Sequence, residues 1–185
     1  MKISFTGTHS TGKTTLLNIL KTSPDYSNFT FHDEITRKVQ AQGININENG
    51  NNLTQLLILD THIRNLLSPQ FIADRCILDG IVYTEWLYNN YKIDDWVYSY
   101  SRNLFKYLIP QYDILFYLVP EFNIVDDGVR STSHTFQQDI QGIFEKYIKQ
   151  YNIPVVYITG TVENRIQQVN KHIYEQSTTS KQPGK

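Results

Sequence analysis

The sequence predicts a three-layer α/β domain built on a mainly parallel sheet, and three observations carry that reading. Short apolar runs alternate with stretches of helical periodicity along the chain. One of these runs, Asp113 to Val119 (DILFYLV), is almost wholly apolar after its first residue, as a strand covered on both faces requires. The first run passes through a Gly-containing turn straight into a helical stripe, which opens a β-α unit. With 185 residues, no internal repeat and no linker, the chain has the size of one domain and can bury a core without disulfides or metals. We expect that domain to span residues 1–176.

Lys2 to Thr6 is the first β-prone run, and Lys13 to Lys21 follows as a helix with Leu16, Leu17, Ile19 and Leu20 as its stripe. Phe29 to His32 reads as a second strand and Glu34 to Gln42 as helix. Gly43 to Asn52 holds five Asn in ten residues and reads as an exposed, mobile loop. Leu53 to Leu67 is an amphipathic helix with Leu56, Leu59, Ile63 and Leu66 inward, ended by Pro69. Phe71 to Asp74 is a short buried strand ending in an acid. Helices follow over Asp79 to Tyr91 and Asp95 to Leu108. After the apolar strand at Asp113, the segment Pro120 to His134 is polar and irregular. Thr135 to Tyr151 is a helix with Phe136, Ile140, Ile143, Phe144, Tyr147 and Tyr151 as its stripe. Pro154 to Thr159 is the last strand and Val162 to Glu175 the last helix. Residues 177–185 form a tail expected to be disordered. The aromatics Tyr83, Trp86, Tyr88, Tyr91, Trp96, Tyr98 and Tyr100 are expected mostly in the core, with one or two free to stack on a substrate ring.

Lys plus Arg is 17 and Asp plus Glu is 18, a net charge of −1. That balance disfavours a broad phosphate-gripping surface, and so generic nucleic-acid binding, while leaving room for one local basic pocket. The single cysteine, Cys76, excludes an intrachain disulfide and a Cys-based zinc site. The apolar run at the N-terminus is too short for a signal peptide, and no segment is long and apolar enough to span a bilayer. We expect a cytoplasmic protein with no membrane partner; a homodimer is compatible with the composition.

Gly7-Thr8-His9-Ser10-Thr11-Gly12-Lys13-Thr14 fits G-x-x-x-x-G-K-[ST] without a gap, between a strand and a helix. The glycines let the backbone close round phosphate oxygens with its N–H groups turned inward, and the helix start adds its positive dipole end. Gly7, His9, Ser10, Thr11, Gly12, Lys13, Thr14 and Thr15 are the expected nucleotide contacts. The Lys13 ammonium should reach the β- and γ-phosphates and the Thr14 hydroxyl should ligate Mg²⁺. The guanine-reading N-K-x-D is absent: Asn170-Lys171-His172-Ile173 lacks its Asp, and no D-x-x-G follows a strand. ATP is therefore the expected nucleotide.

Ligands of parallel sheets sit beyond the carboxyl ends of the strands, so the residues there carry the remaining candidates. Asp74 can hold Mg²⁺ directly or through water. Arg75 can bind an anionic substrate group or pair with an acid. Glu34 and Arg37 stand one helical turn apart, where a carboxylate can take the proton of an acceptor hydroxyl and a guanidinium can orient the acceptor. An exposed ion pair would use the same spacing, and Asp33 competes as the base. Arg130, after Asp126-Asp127-Gly128, sits where a flap (about residues 120–134) could close an Arg over a transferring phosphoryl group. At Thr159-Gly160-Thr161, Gly160 would allow close approach to an adenine, or Thr161 simply caps the last helix.

The order of these motifs resembles the P-loop small-molecule kinases. The loop GTHSTGKT is followed by E-x-x-R at Glu34 to Arg37, by Asp74-Arg75, and by D-G-x-R at Asp127 to Arg130. The resemblance extends over about residues 1–170 and is greatest to the family of the ribosylnicotinamide kinase domain, NadR-like and grouped with AAA-type ATPase domains. The segment YDILFYLVPEFNIVDDGVRS carries it most specifically. It implies a P-loop NTPase fold of nucleotide-kinase type with a five-stranded parallel sheet, ATP and Mg²⁺. It also implies Glu34 as the acceptor-side base, Arg37 as a substrate contact, Asp74 serving the metal and Arg130 reaching the phosphates from a lid. A free-standing domain of this kind also suits a phage or bacterial nucleotide-salvage enzyme.

The expected function is transfer of the γ-phosphoryl of ATP to a small nucleoside or nucleoside monophosphate, with Arg37 and Arg75 tilting the balance towards an anionic acceptor. Two other readings share the phosphate loop. One is a kinase of a hydroxymethylated base in DNA. The other is an ATP-binding regulatory module without a phosphorylated small product.

Overall fold

The computed structural model describes residues 1–121 and 131–179. Five strands form one all-parallel sheet in the order β2-β3-β1-β4-β5: β1 (Lys2–Thr6), β2 (Thr30–His32), β3 (Phe71–Asp74), β4 (Ile114–Leu118) and β5 (Val155–Ile158). The described helices are α1 (Lys13–Thr22), α2 (Thr36–Ala41), α3 (Asn52–Asn65), α4 (Ile77–Asn89), α5 (Asp95–Leu108), α6 (His134–Gln150) and α7 (Val162–Thr179). The alternation along β4 shows why there are three layers. Ile114, Phe116 and Leu118 pack with Leu16, Leu17 and Leu20 of α1 and Val169 of α7, whereas Leu115 and Tyr117 pack with residues of α4, α5 and α6. Each of the three α1 leucines is almost fully buried, worth about 1.5–3 kcal/mol relative to exposure. Ile19, the fourth residue of that stripe, faces solvent instead.

Several elements differ from the sequence expectation. The Asn-rich segment is not an exposed, mobile loop throughout. It holds a single 3₁₀ turn at Asn47–Asn49, buries Ile46 and Gly50, and supplies Asn51 as the N-cap of α3 through a reciprocal capping box with Thr54. Asparagine suits both tasks because its short amide bonds to nearby backbone. The second helix begins at Thr36, so Glu34 precedes it and does not share a helical face with Arg37. Of the aromatic group, Tyr83, Trp86, Tyr88 and Tyr98 pack half-buried against the core, whereas Tyr91, Trp96 and Tyr100 are exposed. Helix α7 continues to Thr179, so Ser177 to Thr179 are helical rather than tail. Residues 180–185 lie outside the described residues, as do 122–130 of the expected lid.

A parallel sheet brings all its strand ends to one edge. Register places Phe5 beside Asp74 and Thr6 beside Tyr117, so the Gly-containing turn after β1 emerges between the ends of β3 and β4. Among the described residues no helix is long and apolar enough to cross a membrane.

Candidate active site

The turn after β1 is shaped by its glycines. Gly7 (φ +128°) and Gly12 (φ +89°) occupy conformations that side chains rarely adopt, and Ser10 joins them at φ +59°. A Cβ on Gly7 would lie 2.7 Å from the backbone oxygen of Leu118, so β4 fixes how closely the loop crosses the sheet edge. Gly7→Ala is expected to destroy nucleotide binding and to lower the melting temperature by several degrees, measurable by calorimetry with and without ATP.

Lys13, in the first turn of α1, is 4% exposed and donates to the carbonyls of Gly7 and Thr8 and to Thr11 Oγ1. Burial pushes its pKa down to about 8, with the nearby Arg75 charge adding to the shift. His9 stacks on Phe136 of α6, and its carbonyl accepts from Gln137 Nε2 at 2.9 Å, so the loop is tied to α6. Thr15 is exposed on α1.

At the neighbouring strand end, Thr14 Oγ1 donates to Asp74 Oδ2 at 2.5 Å. Asp74 is buried, and its Oδ1 has no hydrogen-bond partner among the described residues. Burial and the Glu34 charge raise its pKa, against the pull of Lys13, Arg75 and Thr14. A hydroxyl beside a carboxylate with an unused oxygen is the hard-oxygen donor set that Mg²⁺ takes when phosphates complete its shell. The residues present therefore fit the ion. Among the described residues no cluster of three or more His, Cys, Asp or Glu forms a protein-only metal cage.

Glu34, Arg75 and Asp79 form a buried charged group next to this pair. Arg75 Nε donates to Glu34 Oε1 at 2.7 Å and Nη1 to Asp79 Oδ1 at 3.1 Å, with all three side chains under 10% exposed. The same guanidinium touches the Gly7 carbonyl at 3.4 Å and lies 5.1 Å from the Tyr83 ring centre. Arg75 holds φ +79°, an unfavourable conformation for any residue that carries a side chain, and its N–H donates to Phe5 O at 2.8 Å. Asp33 lies outside this group, paired with Lys21 on the surface. Arg37 is exposed on α2. Arg130 lies outside the described residues. Gly160 has its N–H taken by Glu121 Oε2 at 2.8 Å and its carbonyl by Arg165 Nε, while Thr161 caps α7 through Asn164 N.

Sequence reasoning missed three participants. Asp79 accepts from Thr6 Oγ1 at 2.7 Å and from the Cys76 N–H at 3.0 Å, so it caps α4 and fixes Arg75 together. The spacing Cys76 to Asp79 is that of a capping box, which was the available signal. Arg165 is 1% exposed and donates to Thr11 O at 2.6 Å and Glu121 Oε2 at 2.5 Å, binding the phosphate loop to the last helix. With Val169 and Ile173 it forms the buried stripe of α7, where a cation at an apolar spacing was the signal. The third is the inward face of α3. It buries Thr54, Gln55, Leu59 and His62 rather than the full leucine stripe.

Gln55 and His62 of that face line a small cleft with Thr36, Asn47, Ile58, Arg75, Asp79, Gly80 and Tyr83. Burial pushes the His62 pKa down to about 4, opposed by Asp79 and assisted by Arg75. The unfolded chain binds that proton near pH 6.5 and the folded chain only near 4, so this contribution is complete above 6.5 and lost as pH falls through 4. Stability from His62 should fall by roughly 3 kcal/mol across that window. Urea unfolding of His62→Leu at several pH values should show a correspondingly shallower dependence.

The sheet order β2-β3-β1-β4-β5 with the phosphate loop after β1 is that of the P-loop α/β fold. Residues 2–165 match the protein-family model described as an AAA domain, and the chain belongs to that family. No curated protein matches the sequence. Among solved structures, the chain is similar to deoxyadenosine kinase from M. mycoides with products dCMP and dCDP bound (16% identity, TM-score 0.66, 95% of this chain and 99% of that chain). It is also similar to NadR protein in complex with NR (18% identity, TM-score 0.70), covering 91% of this chain and 50% of that one. The NadR complex with NAD and AMP-PNP matches with 15% identity and TM-score 0.67, covering 99% of this chain and 50% of that one.

Proposed function

We propose that this chain transfers the γ-phosphoryl of ATP to a hydroxyl of a nucleoside. The observation that carries the reading is Arg75: one guanidinium contacts the Gly7 carbonyl of the phosphate loop, the Glu34 carboxylate and the Asp79 carboxylate that lines the cleft. Donor loop and acceptor cleft thus share a single fixed group. The bound ligands of the similar structures, deoxynucleotides and NR, support the same class of acceptor.

In this reading Lys13 leaves the loop's own carbonyls for the β- and γ-phosphates, and Thr14 with Asp74 holds Mg²⁺. The bound ion would neutralise charge on the phosphate oxygens. Glu34 takes the proton of the attacking hydroxyl, and Arg75 keeps that carboxylate aimed. Arg130 serves the phosphoryl group from the lid, and Gly160 borders the adenine. Catalysis is then mostly positioning and charge complementarity.

The charge count around Arg75 favours a neutral acceptor. Its one positive charge already faces two buried carboxylates, so an incoming monophosphate dianion would meet net negative charge. We therefore favour a neutral acceptor over the anionic one that Arg37 and Arg75 suggest in the sequence. Incubation with ATP, Mg²⁺ and a panel of nucleosides, nucleoside monophosphates, nicotinamide riboside and hydroxymethylated DNA tests this. Acceptor-dependent ADP with a phosphorylated nucleoside is expected, and monophosphates should be poorer acceptors. ATP turnover that ignores every acceptor would overturn the proposal.

A further inference from the structure

We propose that Arg165 is a positioning residue for the nucleotide: it locks the phosphate loop to the turn after β5, so that the base and the phosphate tail of a nucleoside triphosphate are gripped by one rigid frame. This rests on the nucleotide site of the proposed kinase and adds to it what couples the two ends of that site.

In the strand order β1-β4-β5, the turns that follow β1 and β5 stand two strand spacings apart, about 10 Å, with the end of β4 between them. Arg165 crosses that gap from α7. It donates through Nη1 to Thr11 O of the phosphate loop at 2.6 Å, through Nε to Gly160 O of the turn after β5 at 2.8 Å, and through Nη2 to Glu121 Oε2 beyond β4 at 2.5 Å. Three segments far apart in sequence thus meet on one planar guanidinium whose N–H directions are fixed. Hydrogen bonds from a charged donor are shorter and about twice as strong as neutral ones. At 1% exposure the side chain is shielded from competing water.

The same helix holds the rest of the turn. Gln168 Nε2 donates to Thr159 O at 2.8 Å, and the Gly160 N–H donates to Glu121 Oε2 at 2.8 Å. The Gly160 N–H and the Arg165 guanidinium keep the Glu121 carboxyl below the usual carboxylate range, so the ion pair persists at neutral pH. The phosphate loop has other ties of its own: Gly7 crosses close to Leu118, and His9 O accepts from Gln137 of α6. Loss of Arg165 would therefore leave an anion nest in place and free the turn after β5 to move against it. A ligand held at two ends gains affinity from the second contact only while both contacts are presented at the right separation. Arg165 sets that separation before the nucleotide arrives, which lowers the ordering cost of binding.

Isothermal titration calorimetry with Mg²⁺ and either ATP or inorganic tripolyphosphate tests the assignment on the wild type, Arg165→Met, Arg165→Lys and Glu121→Ala. The readout is the ratio of the two dissociation constants. A merely destabilised protein would keep that ratio, since unfolded molecules lower the stoichiometry for both ligands alike. The wild type should bind ATP at least about tenfold more tightly than tripolyphosphate. In Arg165→Met the two should come within about threefold of each other, mainly by loss of ATP affinity. Arg165→Lys keeps the charge without the fork and should stay nearer to Arg165→Met than to the wild type. Glu121→Ala alters a side chain that is 36% exposed, so the fold is spared, and it should lower the ratio as well. A wild-type ratio in Glu121→Ala, or in either Arg165 variant as folded protein, would overturn the proposal, as would a wild type that binds the two ligands alike or binds neither. A ratio that collapses in these variants, in a protein that forms no phosphorylated product, would uphold the frame and discard the kinase reading.

Discussion

Glu34→Gln is expected to slow phosphoryl transfer about 10²–10⁴-fold, the range typical of a lost general base. The amide keeps the size of the carboxylate and still places an oxygen near Arg75 Nε, so the cleft should survive while the proton acceptor is lost. KM for ATP should change by less than about threefold, because the phosphate loop and the Thr14–Asp74 pair are separate side chains. Rapid-quench measurement of product formation checks this. Full activity would remove Glu34 from the chemistry.

Arg75→Met should cost about 3–5 kcal/mol of stability, measurable by urea unfolding. The methionine roughly fills the space but leaves Glu34 and Asp79, both under 10% exposed, without their common countercharge. The double variant Glu34→Gln/Arg75→Met should lose less than the sum of the single losses, since it removes one of the stranded charges. A loss below about 1 kcal/mol in Arg75→Met would mean that water or other groups already screen these carboxylates.

Much of the fold was legible because local pattern and burial agree. Helix α5 was read with its observed ends, since its period places Val97, Ser101, Phe105 and Leu108 inward. The phosphate loop was legible because close backbone approach demands glycine at Gly7 and Gly12, and sequence records that demand directly. Asp74 was legible because a strand buried on both faces ended in an acid.

What was not legible depends on partners distant in sequence. Arg75 lies 41 residues from Glu34, and only the pairing of β2 with β3 brings them together. That pairing turned Glu34 from a helical neighbour of Arg37 into a partner of Arg75. Arg165 meets Thr11 across 154 residues, and nothing local to either position announces it. The polar face of α3 was hidden because its leucines present a competing stripe of nearly the same period. Gly80, where a Cβ would stand 3.0 Å from Leu59 Cδ2 and 3.4 Å from His62 Cδ2, lets that face pack closely against α4.

The central claim is that the phosphoryl group held at the loop goes to an acceptor hydroxyl beside Glu34. The most direct measurement is ³¹P NMR of the wild-type protein with ATP, Mg²⁺ and the best-binding nucleoside. The account predicts a phosphomonoester resonance that grows in step with ADP and requires the nucleoside. Inorganic phosphate appearing at the same rate with and without nucleoside, and no phosphomonoester, would contradict it.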